Sequence, residues 1–270
     1  CTFCSFNRNP WGEKCNWSAR SPESVVEELV EIDAPIVGFT DDLFTHDMER
    51  VERICELIMA RGIRKKYIVN ARLEIARHPG ILRKMEQAGF FMLLMGIESA
   101  HDKTLRSMGK GFNTTQIRTY FKVLRESSML LHGYFILGNI GESVEEMRQM
   151  VPFAHELGLD TLALTMLRAS PHSGLEELVA ENPEYHVAAS GKVYSDHCSI
   201  KDLRKLRRGL YREFYNVGQV LRGVRKGFRI DAAELLSKLL VHLPRFGWRL
   251  ASHYRQRATR RATRGGPRPA

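Results

Sequence analysis

Residues 21–167 alternate between helical and extended hydrophobic patterns. Five short, largely apolar runs have the length of buried strands in a parallel sheet: 36–40, 67–71, 90–97, 130–137 and 161–167. Amphipathic segments with helix-start signals separate them, for example at Ser21 and Pro22, at Asn113 and at Ser143. The pattern predicts an α/β fold of repeated βα units, which form either a barrel or a doubly wound sheet.

After residue 199 the pattern becomes purely helical. Two amphipathic helices are predicted at 199–220 and 231–254, separated by the glycine-containing stretch 223–227. The end of the chain has six arginines, two prolines and no apolar face, which predicts disorder. We therefore divide the chain into three parts: a core at 1–180, a helical C-terminal extension at 181–254 and a disordered arginine-rich tail at 255–270.

The net charge of +10 is concentrated in the last quarter of the chain. Residues 201–270 hold 19 Lys and Arg against 4 Asp and Glu, whereas residues 1–200 carry a net charge of −5. Such a basic segment contacts an anionic membrane surface or a nucleic acid, or it remains solvated. The leucine-rich stretch 235–248 either rests on a membrane surface or packs on the core, and the sequence leaves both open.

Cysteine usage indicates a reducing compartment. The five cysteines are odd in number and irregularly spaced, unlike the framework of a small secreted protein. The chain has no N-terminal signal pattern, and no apolar run reaches the roughly 18 residues of a membrane span. We expect a cytoplasmic protein, with peripheral membrane contact through the basic C-terminus as an open alternative.

The chain opens on two cysteines at close spacing, in the sequence Cys1-Thr2-Phe3-Cys4. Such a pair is a redox dithiol, half of a zinc site or part of an iron-sulfur ligand set. The polar, turn-rich residues 5–12 start no helix, which disfavours a thioredoxin-like dithiol. Zinc is less favoured because no second Cys or His pair follows at ligand spacing. The spacing alone leaves the ligand type open.

Polar residues directly follow each predicted strand. In βα folds the carboxyl ends of parallel strands share one edge, and functional residues lie there. The residues at these ends are Thr40, Asp41, Asp42, Asn70, Arg72, Glu98, Ser99, Gly138, Asn139 and Arg168. We expect them to form one rim.

Structural roles compete with functional ones at this rim. Asp41 and Asp42 could cap the following helix. Arg72 could pair with Glu74 or Glu98 instead of a ligand. A carboxylate at position 98, directly after a buried strand, is costly unless it has a partner, which favours a functional role.

Four stretches together resemble the radical S-adenosylmethionine (SAM) superfamily over roughly residues 1–180. The cluster loop of that family reads C-x-x-x-C-x-aromatic-C, and residues 1–4 match its last four positions. The other stretches are Gly-Phe-Thr-Asp-Asp at 38–42, Met-Gly-Ile-Glu-Ser at 95–99 and Phe-Ile-Leu-Gly-Asn-Ile-Gly-Glu-Ser at 135–143, where Ile140 replaces the usual proline. The match places the first cysteine of the loop, and the first barrel strand, before residue 1.

The resemblance implies a partial TIM-like (β/α)6 barrel that lacks its first strand here and precedes a helical extension. It implies a [4Fe-4S] cluster bound by Cys1, Cys4 and a cysteine outside this sequence, so we expect residues 1–270 alone to load the cluster poorly. SAM would bind the open iron, and its reductive cleavage would start radical chemistry. The stretch 38–45 resembles the subgroup that carries an N-terminal cobalamin-binding domain, so cobalamin is expected through a domain outside this chain.

The resemblance also implies a contact for each part of SAM. The implied contacts are Phe3 with the cluster or the adenine, Thr40, Asp41 and Asp42 with the methionyl ammonium, Arg72 with the carboxylate, Glu98 with the ribose hydroxyls, and the backbone from Phe135 to Gly138 with the adenine. Opposite charges at the two ends of one ligand suit this distribution of acidic and basic residues. The resemblance assigns no catalytic side chain.

The leading hypothesis is therefore a radical SAM enzyme that performs methyl transfer, ring formation or rearrangement on a small organic substrate. A flavodoxin or ferredoxin would supply the electron. One alternative is a tRNA-modifying enzyme of the methylthiotransferase type, for which the basic tail would contact phosphates. Another is a non-catalytic, degenerate barrel that acts as a membrane-surface or interaction module.

Overall fold

The computed structural model describes Cys4, residues 11–171 and residues 173–229. In this part of the chain the strands are β1 (Ile36–Gly38), β2 (Lys66–Asn70), β3 (Phe90–Glu98), β4 (Leu130–Leu137), β5 (Thr161–Met166), β6 (Tyr185–Val187) and β7 (Val193–Ser195). The helices are α1 (Pro22–Glu31), α2 (Met48–Ala60), α3 (Pro79–Ala88), α4 (Asp102–Ser107), α5 (Thr114–Leu124), α6 (Val144–Arg148), α7 (Met150–Leu157), α8 (Leu175–Ala180), α9 (Ile200–Phe214) and α10 (Val217–Arg229). Short 3-10 helices at Phe44–His46 and Leu73–Arg77 follow β1 and β2. Residues 1–224 form one compact unit, and of the second unit, 225–270, only the end of α10 is described.

The strands β1 to β5 form one parallel sheet whose strand order is the order of the chain. One or two helices join each pair of neighbours, as parallel crossovers require. A doubly wound sheet would reverse its strand order at a switch point, and this sheet does not. The order is that of a (β/α) barrel, of which five strands form a part, so the predicted fold class is confirmed.

The sheet buries one of its two faces under the helices. Leu93, Met95 and Ile97 of β3 are fully buried in the main core, whereas the intervening Leu94 and Gly96 are half-buried on the opposite face. The strands β2, β4 and β5 alternate in the same way over most of their length. The half-buried face is called the inner wall below, because it corresponds to the interior of the partial barrel.

Helix boundaries follow local sequence signals. Asn113 with Gln116, and Ser143 with Glu146, form capping boxes at the starts of α5 and α6. Gly89 ends α3 with a φ of 102°, in the left-handed region that favours glycine. The predicted helix starts at Asn113 and Ser143 are confirmed.

The region after β5 differs from the prediction in three respects. The predicted helical extension contains the antiparallel β6–β7 hairpin. The predicted helix 199–220 is two helices, because Asn216 Oδ1 accepts a hydrogen bond from Gln219 N and begins α10. α10 then continues through 223–227, since each glycine inside a helix costs only about 1 kcal/mol. The helix predicted at 231–254 and the tail at 255–270 lie outside the described residues.

Two tyrosine hydroxyls close the outer edge of β5. Tyr211 Oη in α9 accepts a hydrogen bond from Leu164 N at 2.9 Å. Tyr215 Oη, just after α9, accepts from Leu162 N and donates to Leu162 O, both at 3.1 Å. An uncovered edge strand presents free N–H and C=O groups that pair with other chains. α9 therefore ends the sheet with side chains where a closed barrel would add a strand.

We predict that Tyr211→Phe lowers the free energy of unfolding by about 1–2 kcal/mol, because it leaves the Leu164 N–H without its acceptor. Chemical denaturation of both proteins measures the difference. Tyr194→Phe is the matched control, since the Tyr194 hydroxyl has no hydrogen bond within the described residues. Equal stability of Tyr211→Phe and Tyr194→Phe would show that the edge of β5 does not depend on this bond.

Candidate functional site

The loops that follow β1 and β2 are bonded to each other at the carboxyl edge of the sheet. Asn70 Nδ2 donates a hydrogen bond to Asp41 O at 3.0 Å, and Arg72 N donates to Thr45 Oγ1 at 2.9 Å. Arg50 Nη1 lies 3.8 Å from Asp41 Oδ1. The structure thus brings together two of the loops that the sequence predicted to share a rim.

The helix-capping role considered for Asp41 and Asp42 is wrong. The N-cap of α2 is Asp47, whose side chain accepts a hydrogen bond from Arg50 N at 3.0 Å. Thr40 and Asp42 are exposed, and Asp41 is half-buried. Neither Asp41 nor Asp42 therefore caps α2, the helix that follows them.

Arg72 is paired with its near neighbour Glu74. Its Nε and Nη2 donate to the two carboxylate oxygens at 3.2 and 2.7 Å, in a bidentate arrangement. Burial pushes the pKa of Glu74 up, but the hydrogen bonds from Arg72, a backbone hydrogen bond and the charges of Arg72 and Arg77 together outweigh this effect, and the pKa is lowered. Of the two protein partners considered for Arg72, Glu74 and Glu98, the structure therefore shows the pair with Glu74. The Arg72 side chain is 53 % exposed, so this pair can open toward another carboxylate.

Glu98 ends β3 in a strained backbone conformation. Its φ is 72°, and no other non-glycine residue in the described part of the chain has a positive φ. The pairing register with β4 shifts between Gly96 and Glu98, which marks a β-bulge. Strain of this kind costs about 1–3 kcal/mol and persists mainly where the surroundings enforce it, often at functional sites.

The Glu98 carboxylate lies between Gly96 and Lys110. A Cβ at position 96 would come within 2.3 Å of Glu98 Oε1, so any side chain there would displace the Glu98 carboxylate from its present position. Lys110 Nζ is 3.2 Å from Glu98 Oε1, and the two side chains are 12 % and 10 % exposed. Burial raises the pKa of Glu98, and the Lys110 ammonium opposes the rise. Among the described residues Lys110 is the partner of Oε1, which leaves Oε2 for a ligand.

A buried polar network joins the ends of β3 and β4. Ser99 Oγ donates to Glu142 Oε1, and Asn139 Nδ2 donates to Glu142 Oε2, both at 3.0 Å. Burial raises the pKa of Glu142 to about 7, although the hydrogen bonds from Asn139 and Ser99 lower it. Asn139 Nδ2 also donates to Ile136 O at 2.7 Å, while its buried Oδ1 has no partner in the described residues.

The inner wall carries two polar aromatic side chains on β4. The rings of His132 and Tyr134 meet edge to face, with centroids 4.7 Å apart. His132 Nδ1 lies 2.7 Å from Thr161 Oγ1 on β5. Burial lowers the pKa of His132, which favours the neutral imidazole. A neutral imidazole and a phenol therefore stand half-buried on a wall that carries apolar residues such as Leu94 as well as polar ones such as Thr161.

The predicted cluster ligands are only partly within the described residues. Cys1 and Phe3 lie outside them, and Cys4 is a half-buried free thiol. No group of three or more metal-ligating side chains occurs in the ranges that the structure describes. The Phe135 side chain is fully buried in the core, so the prediction for Phe135 to Gly138 concerns the backbone, where Gly138 has a φ of 78°.

Sequence reasoning missed Lys110 and the partners of Glu142. A lysine between Gly109 and Gly111 gives no signal that it folds back onto a strand end 12 residues earlier. Glu142 did carry a signal, because a carboxylate between a strand and a helix cap needs donors if it is buried. The sequence does not show that those donors are Ser99 and Asn139.

We predict that Glu142→Gln changes the pH dependence of stability. The folded protein holds the Glu142 proton more tightly than the unfolded chain, so ionisation costs stability as pH rises from about 4.5 to about 7. The neutral variant escapes this cost. Its free energy of unfolding should therefore rise relative to the wild type by up to about 3 kcal/mol between pH 4.5 and pH 8. Urea denaturation across this range measures it, with exposed Glu145→Gln as control, and a difference that stays constant with pH would contradict the assignment.

Comparison with known proteins gives one family. Residues 1–154, more than half of the chain, match the model of the radical SAM superfamily. An uncharacterised methyltransferase of Pyrococcus horikoshii is 27 % identical over 232 residues, which cover 82 % of this chain and 50 % of the relative. An anaerobic magnesium-protoporphyrin IX monomethyl ester cyclase of Cereibacter sphaeroides is 24 % identical over 256 residues, which cover 92 % and 38 %. The chain thus spans half or less of the length of these relatives.

The fold is shared with a solved structure. The cobalamin-dependent S-adenosylmethionine radical enzyme OxsB, with aqua-cobalamin and SAM bound, matches with a TM-score of 0.61 at 14 % identity. The match covers 96 % of this chain and 48 % of OxsB, and it confirms the partial barrel. The family match spans the opening cysteines, the strained Glu98 and the Asn139–Glu142 loop, as the resemblance predicted. The chain belongs to the radical SAM superfamily.

Proposed function

We propose that this chain forms the catalytic core of a radical SAM enzyme that carries out methyl transfer or ring formation, or a related rearrangement, on a small organic substrate. The main support for the proposal is Glu98, whose carboxylate is buried and whose backbone is strained. Both features destabilise the fold, so their presence favours a functional role. Membership of the family, together with a methyltransferase and a cyclase among the relatives, supports these reaction types. When bound and reduced, a [4Fe-4S] cluster supplies the electron that cleaves SAM and starts radical chemistry.

Cys1 and Cys4 would bind this cluster, together with a third thiolate from outside residues 1–270. Thiolate is the common ligand of iron-sulfur clusters, and Cys4 is free to serve because it forms no disulfide. Phe3, between the two cysteines, would cover the cluster or the adenine and reduce its contact with water.

Glu98 fits the ribose of SAM. A carboxylate accepts hydrogen bonds from vicinal hydroxyl groups, and such charge-assisted bonds are strongest where water is scarce. Lys110 binds Oε1 and the bulge fixes the backbone, so Oε2 keeps its direction before a ligand arrives. This preorganisation lowers the ordering cost of binding.

The methionyl end of SAM requires opposite charges on neighbouring loops. Thr40, Asp41 and Asp42 suit the ammonium group, and Asp42 is not consumed by a helix cap. Arg72 suits the carboxylate group, which would replace its present carboxylate partner with the same bidentate geometry. The hydrogen bond between Asn70 and Asp41 holds these loops together. The backbone from Phe135 to Gly138 would lie beside the adenine.

The inner wall is the surface that we propose for the substrate. It is shielded from water on one side by the core, and it combines apolar side chains with the neutral ring of His132 and the hydroxyl of Tyr134. Thr161 orients the imidazole through Nδ1. These groups can donate or accept single hydrogen bonds to an otherwise apolar molecule, which suits a carbon skeleton with few polar substituents.

Cobalamin, the electron donor and the cellular location also belong to this proposal. OxsB is described as cobalamin-dependent, and a cobalamin-binding domain would lie outside residues 1–270. A flavodoxin or ferredoxin would supply electrons.

No helix in the described ranges combines the length and hydropathy needed to cross a membrane. The cytoplasmic location, and contact of the basic C-terminus with an anionic membrane surface or nucleic acid, stay predictions. The tRNA-modifying and non-catalytic alternatives gain no support from these relatives.

We predict that Cys4→Ala removes most of the iron from the protein that contains this chain after anaerobic reconstitution, because the cluster loses one of its thiolates. Iron and sulfide analysis with the visible absorption spectrum measures the loading. Cys15→Ala is the matched control, since Cys15 is an exposed thiol with no ligand spacing. Iron content in Cys4→Ala equal to that of the control would overturn the assignment of the cluster ligands.

We predict that Glu98→Gln weakens SAM binding by at least about tenfold, because hydrogen bonds to a charged carboxylate contribute about 1.5–3 kcal/mol. Isothermal titration of SAM into the cluster-loaded protein measures the affinity. Thermal unfolding of the same samples should also show a loss, since Lys110 is left buried without its anion. Exposed Glu49→Gln on α2 serves as control, and unchanged SAM affinity in Glu98→Gln would remove Glu98 from the site.

A further inference from the structure

A groove lies between α6 and α9, and none of its lining residues belongs to a strand. Its volume is about 590 Å³, and Val144, Cys198 and Leu206 contribute apolar or weakly polar lining. Small-molecule sites have volumes of roughly 300–1,000 Å³. The groove borders the loop after β4, because Val144 directly follows the segment that contains Glu142.

Four cationic side chains line this groove from two helices. Arg148 comes from α6, whereas Lys205, Arg208 and Arg212 come from α9. Within the described residues none of the four lies within 4.0 Å of a carboxylate oxygen. The carboxylate that lines the groove, Asp202, accepts hydrogen bonds from Ser199 Oγ and N at the start of α9.

The spacing of the cations on α9 is unfavourable without an anion. Lys205, Arg208 and Arg212 are three and four residues apart, so they share one side of the helix and repel each other. An anion between the two helices would attract each cation and so offset their mutual repulsion. Arginine forks bind phosphate oxygens in pairs, and two or more phosphate groups match a site with four cations better than one does.

Gly209 lies in the groove in the middle of α9. No heavy atom lies within 4 Å of a Cβ built there, so packing within the described residues does not require glycine. Glycine inside a helix is less favourable than alanine. The missing side chain leaves the helix surface open between Lys205, Arg208 and Arg212.

We propose that this groove binds a small molecule that carries two or more phosphate groups. The end of this chain is a poor occupant, because residues 230–270 hold nine Lys and Arg against two Asp and Glu and would add to the repulsion. The concave shape and the limited volume favour a small molecule over a nucleic acid, which needs an extended surface. None of the residues that line it is assigned to SAM or to the substrate, so its test does not depend on the proposed function.

Tripolyphosphate titrated into the full 270-residue chain by calorimetry, at about 0.15 M salt, tests this proposal. We expect Arg148→Gln/Arg208→Gln, which removes one cation from each wall, to weaken binding at least about tenfold. Lys201→Gln/Arg204→Gln is the matched control, because it removes the same charge from exposed positions of α9 that do not line the groove. Binding in the control should stay within about twofold of the wild type.

Gly209→Ala provides a second arm that separates binding from folding. We expect it to raise Tm by about 2–4 °C, because alanine favours the helix, and to weaken tripolyphosphate binding, because the methyl group enters the groove. Two outcomes would overturn the proposal. One is equal loss of binding in the groove and control variants, which would assign it to diffuse charge or to the arginine-rich tail. The other is unchanged binding in both Arg148→Gln/Arg208→Gln and Gly209→Ala.

Discussion

The burial of one carboxylate at the end of β3 is the constraint on which the carboxyl edge of the sheet depends. An ionised carboxylate out of water costs several kcal/mol unless it is paired and hydrogen-bonded. Gly96 provides the space, the β-bulge provides the direction and Lys110 provides the charge. Each of these features is unfavourable or unexplained by itself, because a bulge breaks the ladder and a lysine loses hydration on burial. Gly96, the β-bulge and Lys110 are explained together by the need to hold the Glu98 carboxylate in place.

A second carboxylate shows what a purely structural solution looks like. Glu142 is buried to a similar extent, but both of its oxygens accept hydrogen bonds from side chains of its own surroundings, Ser99 and Asn139. Among the described residues Glu98 has one side-chain partner, Lys110, and its backbone is strained. Glu142, with both oxygens hydrogen-bonded, holds two strand ends together. Glu98, with one oxygen hydrogen-bonded among the described residues, remains available to a ligand.

The sequence predicted those features that depend on local signals. The five parallel strands and the capping boxes at Asn113 and Ser143 follow from periodicity and from residue types within a few positions. Features set by distant contacts were not predictable in this way. Three such features depend on which segments meet in space. They are the ion pair of Arg72 with Glu74, the ion pair of Lys110 with Glu98, and the β6–β7 hairpin, whose strands have three residues each. The family resemblance supplied the rim's chemistry but none of these pairings.

α9 joins the core and the C-terminal extension physically, although the sequence pattern changes before it. Its tyrosines satisfy the backbone of β5, and Leu203 packs so close to the loop after β4 that a Cβ at Gly138 would lie 3.1 Å from Leu203 Cδ1. Strands and α9 accordingly lie in one compact unit. The same helix lines the groove toward α6 with three cations that have no carboxylate oxygen within 4.0 Å among the described residues. A ligand in that groove would therefore contact a helix that closes the sheet edge and packs on a loop of the candidate site, so the groove and the rim are connected through one helix.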